Sequence, residues 1–348
     1  MAVDSTPADA PEYAVWSRET PADHLGLIDL GGGPETPSVF AASVESDEEA
    51  SDEHTLQALG LQDGDERWRR SRRAQAPLPA GHRGRHRVRG SSGRRAEQTG
   101  GVRYAVDGSD GTELWQTETA DIAATGHRAR RDLSSVDTAT RLRALALEDG
   151  EAVWSVPTES HAYDNRAERV FVQAEGEDVV RGLAHADGEE LWRRAFDFTV
   201  SRITSPRAAM DETVFVGDNA GRLLAPSPLD GETRWTLSVD RDEVFRPSVA
   251  RTSERLYVAG AGVHAVDPVS GERAWAFDPD VEGRVDIQTG ASTVFAHTDR
   301  RVWALDPDSG DERWTFDPGS ELAGVESAGD LAFVGVDGAV HALDGSAG

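Results

Sequence analysis

The chain has 348 residues and a formal charge of −27, from 63 Asp plus Glu against 36 basic residues that are all arginine. It lacks the overall basic footprint that phosphate binding needs, so nucleic acid is not an expected partner. Without cysteine it can form no disulfide, thiolate metal site or Cys nucleophile, and no apolar run approaches the roughly 18 residues of a transmembrane segment. A strongly acidic, lysine-free surface fits a salt-loving source, where charge is screened over a few ångströms.

Residues 1–10 read as a disordered tail. The leading segment has neither a basic stretch nor an apolar one, so the protein as encoded is expected in the cytoplasm. A start further upstream would place it at the cell surface instead. Tyr13-Ala-Val-Trp16-Ser reads as a strand with no hairpin before it. Further on, Glu45 to Glu53 is a polar run without large apolar residues and reads as a solvated loop.

From there one motif repeats. A Gly preceded by Asp or Ser is followed four residues later by Trp, as Gly64/Trp68, Gly111/Trp115, Gly150/Trp154, Gly188/Trp192, Gly231/Trp235, Gly271/Trp275 and Gly310/Trp314. The period of about 41 residues is that of four-stranded propeller blades and not of helical repeats near 34. Asp-Gly or Ser-Gly between two β-runs marks a tight hairpin, because Gly accepts positive φ and Asp or Ser bonds the local backbone. Ten residues before each Trp the side chain is always small: Ala58, Ala105, Ala144, Gly182, Ala225, Ala265 and Ala304. That constancy suggests close approach of neighbouring sheets. Upstream runs such as Arg169-Val-Phe-Val and Thr293-Val-Phe-Ala supply another strand. A further strand crossing from the previous Trp makes four per repeat, and the expected fold is an all-β, eight-bladed β-propeller over residues 11–348. The last repeat stops before its Trp, so Trp16 is expected to complete it and close the ring.

One stretch breaks the pattern. From Arg67 to Arg95 there are 11 arginines and no acid. Residues 69–100 show no incoming strands for the second blade and are expected to be irregular or disordered. The composition resembles GC-rich codons read out of frame; a basic nucleic-acid- or partner-binding arm is the alternative.

The spacing Ala-x-Asp-x-x-x-Gly-x-x-x-Trp is complete in Ala105, Asp107, Gly111, Trp115; in Ala265, Asp267, Gly271, Trp275; and in Ala304, Asp306, Gly310, Trp314. This resembles the tryptophan-docking repeat of the PQQ-like, quinoprotein-type β-propellers, which include PQQ-dependent alcohol dehydrogenases and non-catalytic outer-membrane assembly lipoproteins of the BamB type. The resemblance implies that Trp16, Trp68, Trp115, Trp154, Trp192, Trp235, Trp275 and Trp314 pack against adjacent blades. Gly60, Ala146, Ala184 and Ser227 replace the motif Asp in four repeats. The dehydrogenases of this family hold PQQ between an aromatic ring and a vicinal disulfide, with calcium bound by acidic and amide side chains. Here cysteine is absent and Asn165 and Asn219 are the sole asparagines.

No nucleophile elbow, zinc-helix or phosphate-loop motif is present. Asp306-Pro-Asp308-Ser-Gly310-Asp311 superficially resembles a calcium loop, but it coincides with the repeated hairpin and lacks the terminal Glu. His264 and His341 share one repeat position and read as structural. The expectation is a monomeric, non-catalytic scaffold with no cofactor or metal, binding another protein or a cell-surface component. The alternatives are a PQQ- and calcium-dependent dehydrogenase and a small-ligand-sensing propeller.

Overall fold

The computed structural model describes residues 12–20, 24–31, 37–45, 53–73, 94–99, 102–118, 127–130, 133–138, 141–146, 149, 151–157, 163–166, 169–174, 178–200, 202–204, 214–218, 221–227, 229–238, 248–252, 254–281 and 283–347. Among these, the regular elements are all β-strands, arranged in eight antiparallel sheets, seven of four strands and one of three. Numbered along the chain, sheets 1 to 7 begin at His24, Arg94, His127, Tyr163, Arg202, Ser248 and Asp286. Sheet 8 joins Leu322–Ala328, Leu331–Val336 and Ala339–Asp344 to the N-terminal strand Ala14–Glu19.

Within a sheet the strands follow one another outward, and their burial follows from what covers them. Middle strands such as Leu256–Ala259 and Val302–Leu305 are buried at every position, because neighbouring sheets lie on both faces and an uninterrupted apolar run is tolerated. The outermost strands bury little beyond Trp, as in Glu190–Ala195. The core is therefore a series of layers between sheets. One layer joins Phe295, Ala304 and Trp314 of sheet 7 to Leu322, Val334 and Leu343 of sheet 8. Another joins Trp16, Phe333 and Ala342 of sheet 8 to Val39, Ala41 and Leu59 of sheet 1.

The small residue of each repeat also answers a demand from within its own sheet. Ala58, Ala105, Ala144, Gly182, Ala225, Ala265 and Ala304 pair directly with the Trp of their own sheet. The strand on the other side brings a large aromatic to the same row, as Phe40 opposite Ala58, Phe171 opposite Gly182 and Phe295 opposite Ala304. Aromatic and Trp meet over the small residue, with ring centroids 5.5 Å apart for Phe40 and Trp68 and 6.2 Å for Phe295 and Trp314. A Cβ on Gly182 would lie 2.5 Å from the Trp192 indole. Where the aromatic is present, smallness is thus demanded within the sheet by a large-small-large row, and the same residue also faces the layer between sheets, as Ala304 does.

The arginine-rich stretch is also more regular than its composition suggests. The strand Glu66–Arg73 runs into it, and Arg94–Thr99 pairs with Val102–Asp107 to give sheet 2 an incoming strand. Residues 74–93 lie outside the described residues, as do the tail 1–11 and the loop 46–52. Three of the arginines are neutralised by acids from outside the run: Arg67 by Asp63 at 2.8 Å, Arg69 by Glu66 at 2.5 Å, and Arg70 by Glu113 of sheet 2.

The N-terminal strand pairs with Ala339–Asp344, setting Trp16 opposite Ala342 in the Trp/Ala register of the other sheets. Asp344 N–H donates to Tyr13 O at 2.9 Å, Thr20 N–H to Gly338 O at 2.7 Å, and Tyr13 stacks on Trp314 at 5.1 Å.

Candidate interaction surface

The repeated Gly and Trp residues are brought together across sheet boundaries. Gly310 has φ of 79°, and a Cβ there would lie 2.6 Å from Cε3 of Trp275 in the preceding sheet. The hairpin glycine thus serves two ends, a left-handed turn and a flat seat for an indole. Gly64, Gly111, Gly188, Gly231 and Gly271 seat Trp16, Trp68, Trp154, Trp192 and Trp235 in the same way. Gly150 lies outside the described residues. The indole N–H then donates to a main-chain carbonyl of the next hairpin. Trp16 bonds Leu61 O at 3.0 Å, Trp68 bonds Gly108 O at 3.0 Å, and Trp154 bonds His185 O at 2.8 Å. Trp235, Trp275 and Trp314 reach Pro268 O, Pro307 O and Asp344 O at 3.1, 3.0 and 2.8 Å. Trp115 and Trp192 are buried like Trp16, Trp68, Trp154, Trp235 and Trp314, whereas Trp275 is partly buried.

The hairpin turn survives loss of the motif Asp because the backbone closes it. Gly111 and Gly310 N–H donate to the carbonyls of Asp107 and Asp306, and Gly64 and Gly188 donate equally to Gly60 and Ala184. Where Asp is present its carboxylate adds N–H acceptors. Asp306 accepts from the Asp308 and Ser309 amides and from Arg313 Nη2 at 2.9 Å. The resemblance of this turn to a calcium loop is explained by these internal donors, and among the described residues no three His, Asp or Glu side chains converge as metal ligands.

With the repeated side chains engaged in packing, the features that vary lie at the hairpin tips. Two residues before the hairpin Gly stand Gln62, Ser109, Ala186 and Asp308 in sheets 1, 2, 4 and 7, but Leu229 and Val269 in sheets 5 and 6. Leu229 is 66% and Val269 83% exposed. The two tips belong to adjoining turns, because Trp235 of sheet 5 bonds Pro268 O and lies against Gly271. Sequence reasoning missed this pair; a large apolar residue in a turn that elsewhere holds a small or polar one was the available signal. Their rim is acidic. The Glu232 amide holds the Asp230 carboxyl below its ordinary range, and the Ser270 and Val269 amides do the same for Asp267.

The two equivalent histidines are half-buried. Burial pushes both imidazoles below the usual histidine value, with Arg273 adding to the effect at His264 and Asp337 opposing it at His341. His341 Nδ1 lies 2.7 Å from Ser17 Oγ across the strand pair of sheet 8, and Phe316 meets its ring edge-on at 6.1 Å. Tyr257, buried where other sheets place Phe, donates its hydroxyl to Pro307 O at 3.3 Å.

Radially repeated four-stranded sheets locked by indoles define a β-propeller built from PQQ-like repeats. The chain belongs to the family described as outer membrane protein assembly factor BamB, whose model matches residues 98–259 and 242–348. No curated protein sequence matches it. Among solved structures it is similar to BamB from Moraxella catarrhalis, with TM-score 0.63 and 16% identity over 95% of this chain and 97% of that one. It is also similar to Sqt1 from Saccharomyces cerevisiae, with TM-score 0.69 and 12% identity over 95% and 98%. Quinohemoprotein alcohol dehydrogenase from Comamonas testosteroni gives TM-score 0.65 and 11% identity over 96% of this chain and 76% of that one. At such identities the likeness is one of fold. Among the described residues no helix is long and apolar enough to cross a membrane.

Proposed function

We propose that this protein is a non-catalytic scaffold, a monomeric eight-bladed propeller closed by the strand Ala14–Glu19, that holds another protein against the hairpin tips of sheets 5 and 6. Membership of the BamB family carries the reading. The closed ring is supported by Trp314 reaching from sheet 7 to Asp344 of sheet 8, and Trp16 from sheet 8 to Leu61 of sheet 1. Leu229 and Val269 offer apolar contact inside a carboxylate rim, which fits a partner apolar at its centre and basic at its edge. The acidic, lysine-free surface suits work in high salt.

The test is capture by tagged full-length protein in high-salt extract, run beside the Leu229→Ser/Val269→Ser variant. A stoichiometric partner is expected, and the variant should weaken it about tenfold, ~1.4 kcal/mol. The likeness in fold to quinohemoprotein alcohol dehydrogenase favours one second reading, a quinoprotein. Saturable quenching of tryptophan fluorescence by PQQ with calcium, in a protein that captures no partner, would replace the scaffold with that enzyme.

A further inference from the structure

Among aspartyl peptides, Asp-Gly pairs are the most prone to rearrange, because glycine offers no Cβ to hinder attack of its nitrogen on the neighbouring carboxyl. This chain has eight of them, and among the seven that lie within the described residues the fold treats one differently from the other six. At Gly64, Gly111, Gly188 and Gly231 the glycine nitrogen donates to a carbonyl four residues back, at 2.8 to 3.0 Å. Gly345 N–H donates to Asp330 O at 2.7 Å. Asp107 has its carboxylate held by both the amide and the hydroxyl of Ser109, at 2.8 and 2.6 Å, in front of the buried Gly108. Gly150 lies outside the described residues.

The remaining pair is Asp337-Gly338, the two-residue loop between Leu331–Val336 and Ala339–Asp344. Both residues have positive φ, 49° at Asp337 and 74° at Gly338, as a type I′ hairpin requires. Asp337 and Asp280 are the two non-glycine residues in that region among the described residues, and such a backbone carries strain for a side chain with a Cβ. Asp337 is exposed, its carboxylate meets one hydroxyl, Ser320 Oγ at 2.7 Å, and Gly338 N–H makes no hydrogen bond among the described residues.

We propose that Asp337-Gly338 is a site of spontaneous isoaspartate formation, and that the change loosens the N-terminal strand from sheet 8. The Gly338 nitrogen bonds to Asp337 Cγ, and its proton leaves with the carboxyl hydroxyl as water, closing a five-membered succinimide. Water then adds to the Asp337 main-chain carbonyl and breaks its bond to nitrogen, so that the main chain runs through Cβ and Cγ. One water is released and one consumed. The extra main-chain atom cannot be held in a two-residue loop that keeps Val336 opposite Ala339. Gly338 O is also the acceptor for both Thr20 N–H and Thr20 Oγ1, at 2.7 Å each. The loop that rearranges is thus the anchor for the end of the strand Ala14–Glu19.

The full-length protein is aged at neutral pH in high salt and then labelled by an isoaspartyl methyltransferase with methyl-labelled S-adenosylmethionine, followed by peptide mapping. Label on the peptide holding Asp337 should exceed that on each other Asp-Gly peptide several-fold, and amide exchange over residues 14–20 should rise with it. Asp337→Asn, which keeps the turn, should label faster, because ammonia leaves more readily than water. Asp337→Glu, whose ring would have six members, should not label there. Even label over all Asp-Gly peptides, or none at Asp337 in either the parent or Asp337→Asn, overturns the site. Label at Asp337 with unchanged exchange over residues 14–20 overturns its effect on the strand.

Discussion

Sheets 2 and 7 contain the same outer hairpin on different foundations. In both, Ala pairs with Trp and a bulge follows, Ala105 with Trp115 and Ala304 with Trp314. In both, the hairpin glycine is left-handed, Gly111 at 74° and Gly310 at 79°. They part at the strand before. Sheet 7 sets Phe295 opposite Ala304, whereas sheet 2 sets Ala96 opposite Ala105. Turn chemistry therefore specifies the outer two strands alone, while the large-small-large row that fills the space between sheets needs an aromatic from further upstream.

The largest expected effect tests that row. Phe295→Ala and Trp314→Ala should each cost about 3–5 kcal/mol in denaturant unfolding at high salt, and Trp115→Ala distinctly less, since the residue paired with Ala105 is Ala96 where sheet 7 has Phe295. Equal losses at Trp115 and Trp314 would break the contrast. Next in size, Gly310→Ala and Gly111→Ala should lose similar amounts, about 1–3 kcal/mol, because each meets a positive φ and an indole; unequal losses would show that the hairpins are not equivalent. A smaller change in the opposite direction sharpens the comparison. Ala96→Phe should raise the unfolding midpoint by the equivalent of about 0.5–2 kcal/mol, and loss of stability would mean that sheet 2 has no room for the missing ring.

The smallest effect is titration. His264 and His341 occupy in sheets 6 and 8 the position that Tyr104 holds in sheet 2. Burial lowers both histidines in the folded protein from the ordinary 6.5. The unfolded chain then binds more protons just below that pH, so stability is full above 6.5 and declines as pH falls toward the folded values. His264→Gln/His341→Gln should flatten this slope in thermal melts between neutral and mildly acidic pH. An unchanged slope would assign it to other groups.

Much of this architecture was legible because its determinants are local and repeated. Gly and Trp at fixed spacing announce a hairpin whatever else the sheet contains. The role of Ala304 was not legible, because spacing shows that a residue must be small and not which neighbour demands it. Arg94–Thr99 escaped notice because Arg-Arg-Ala-Glu-Gln-Thr has almost no intrinsic strand preference, although its partner Val102–Asp107 is the next strand along the chain. The pairing of Arg70 with Glu113 was hidden likewise, since its partner lies 43 positions away in the next sheet. Leu229 and Val269 could have been found by asking which turns break their own rule.

Ser17 and His341 touch although they stand 324 positions apart. Among the described sheets, sheet 8 is consequently the one that cannot assemble in the order of synthesis. Its first strand must wait for its partners, and the loop to be closed is nearly the whole polypeptide, which makes this pairing a late and slow event in folding. The adjacency of the two ends also permits a circular permutant, joined across them and reopened near Gly319 between sheets 7 and 8. Every sheet would then be contiguous in the chain, and the junction of sheets 7 and 8 would depend on non-covalent contacts alone, such as the Trp314 indole on Asp344 O and Ala291 N–H on Gly329 O.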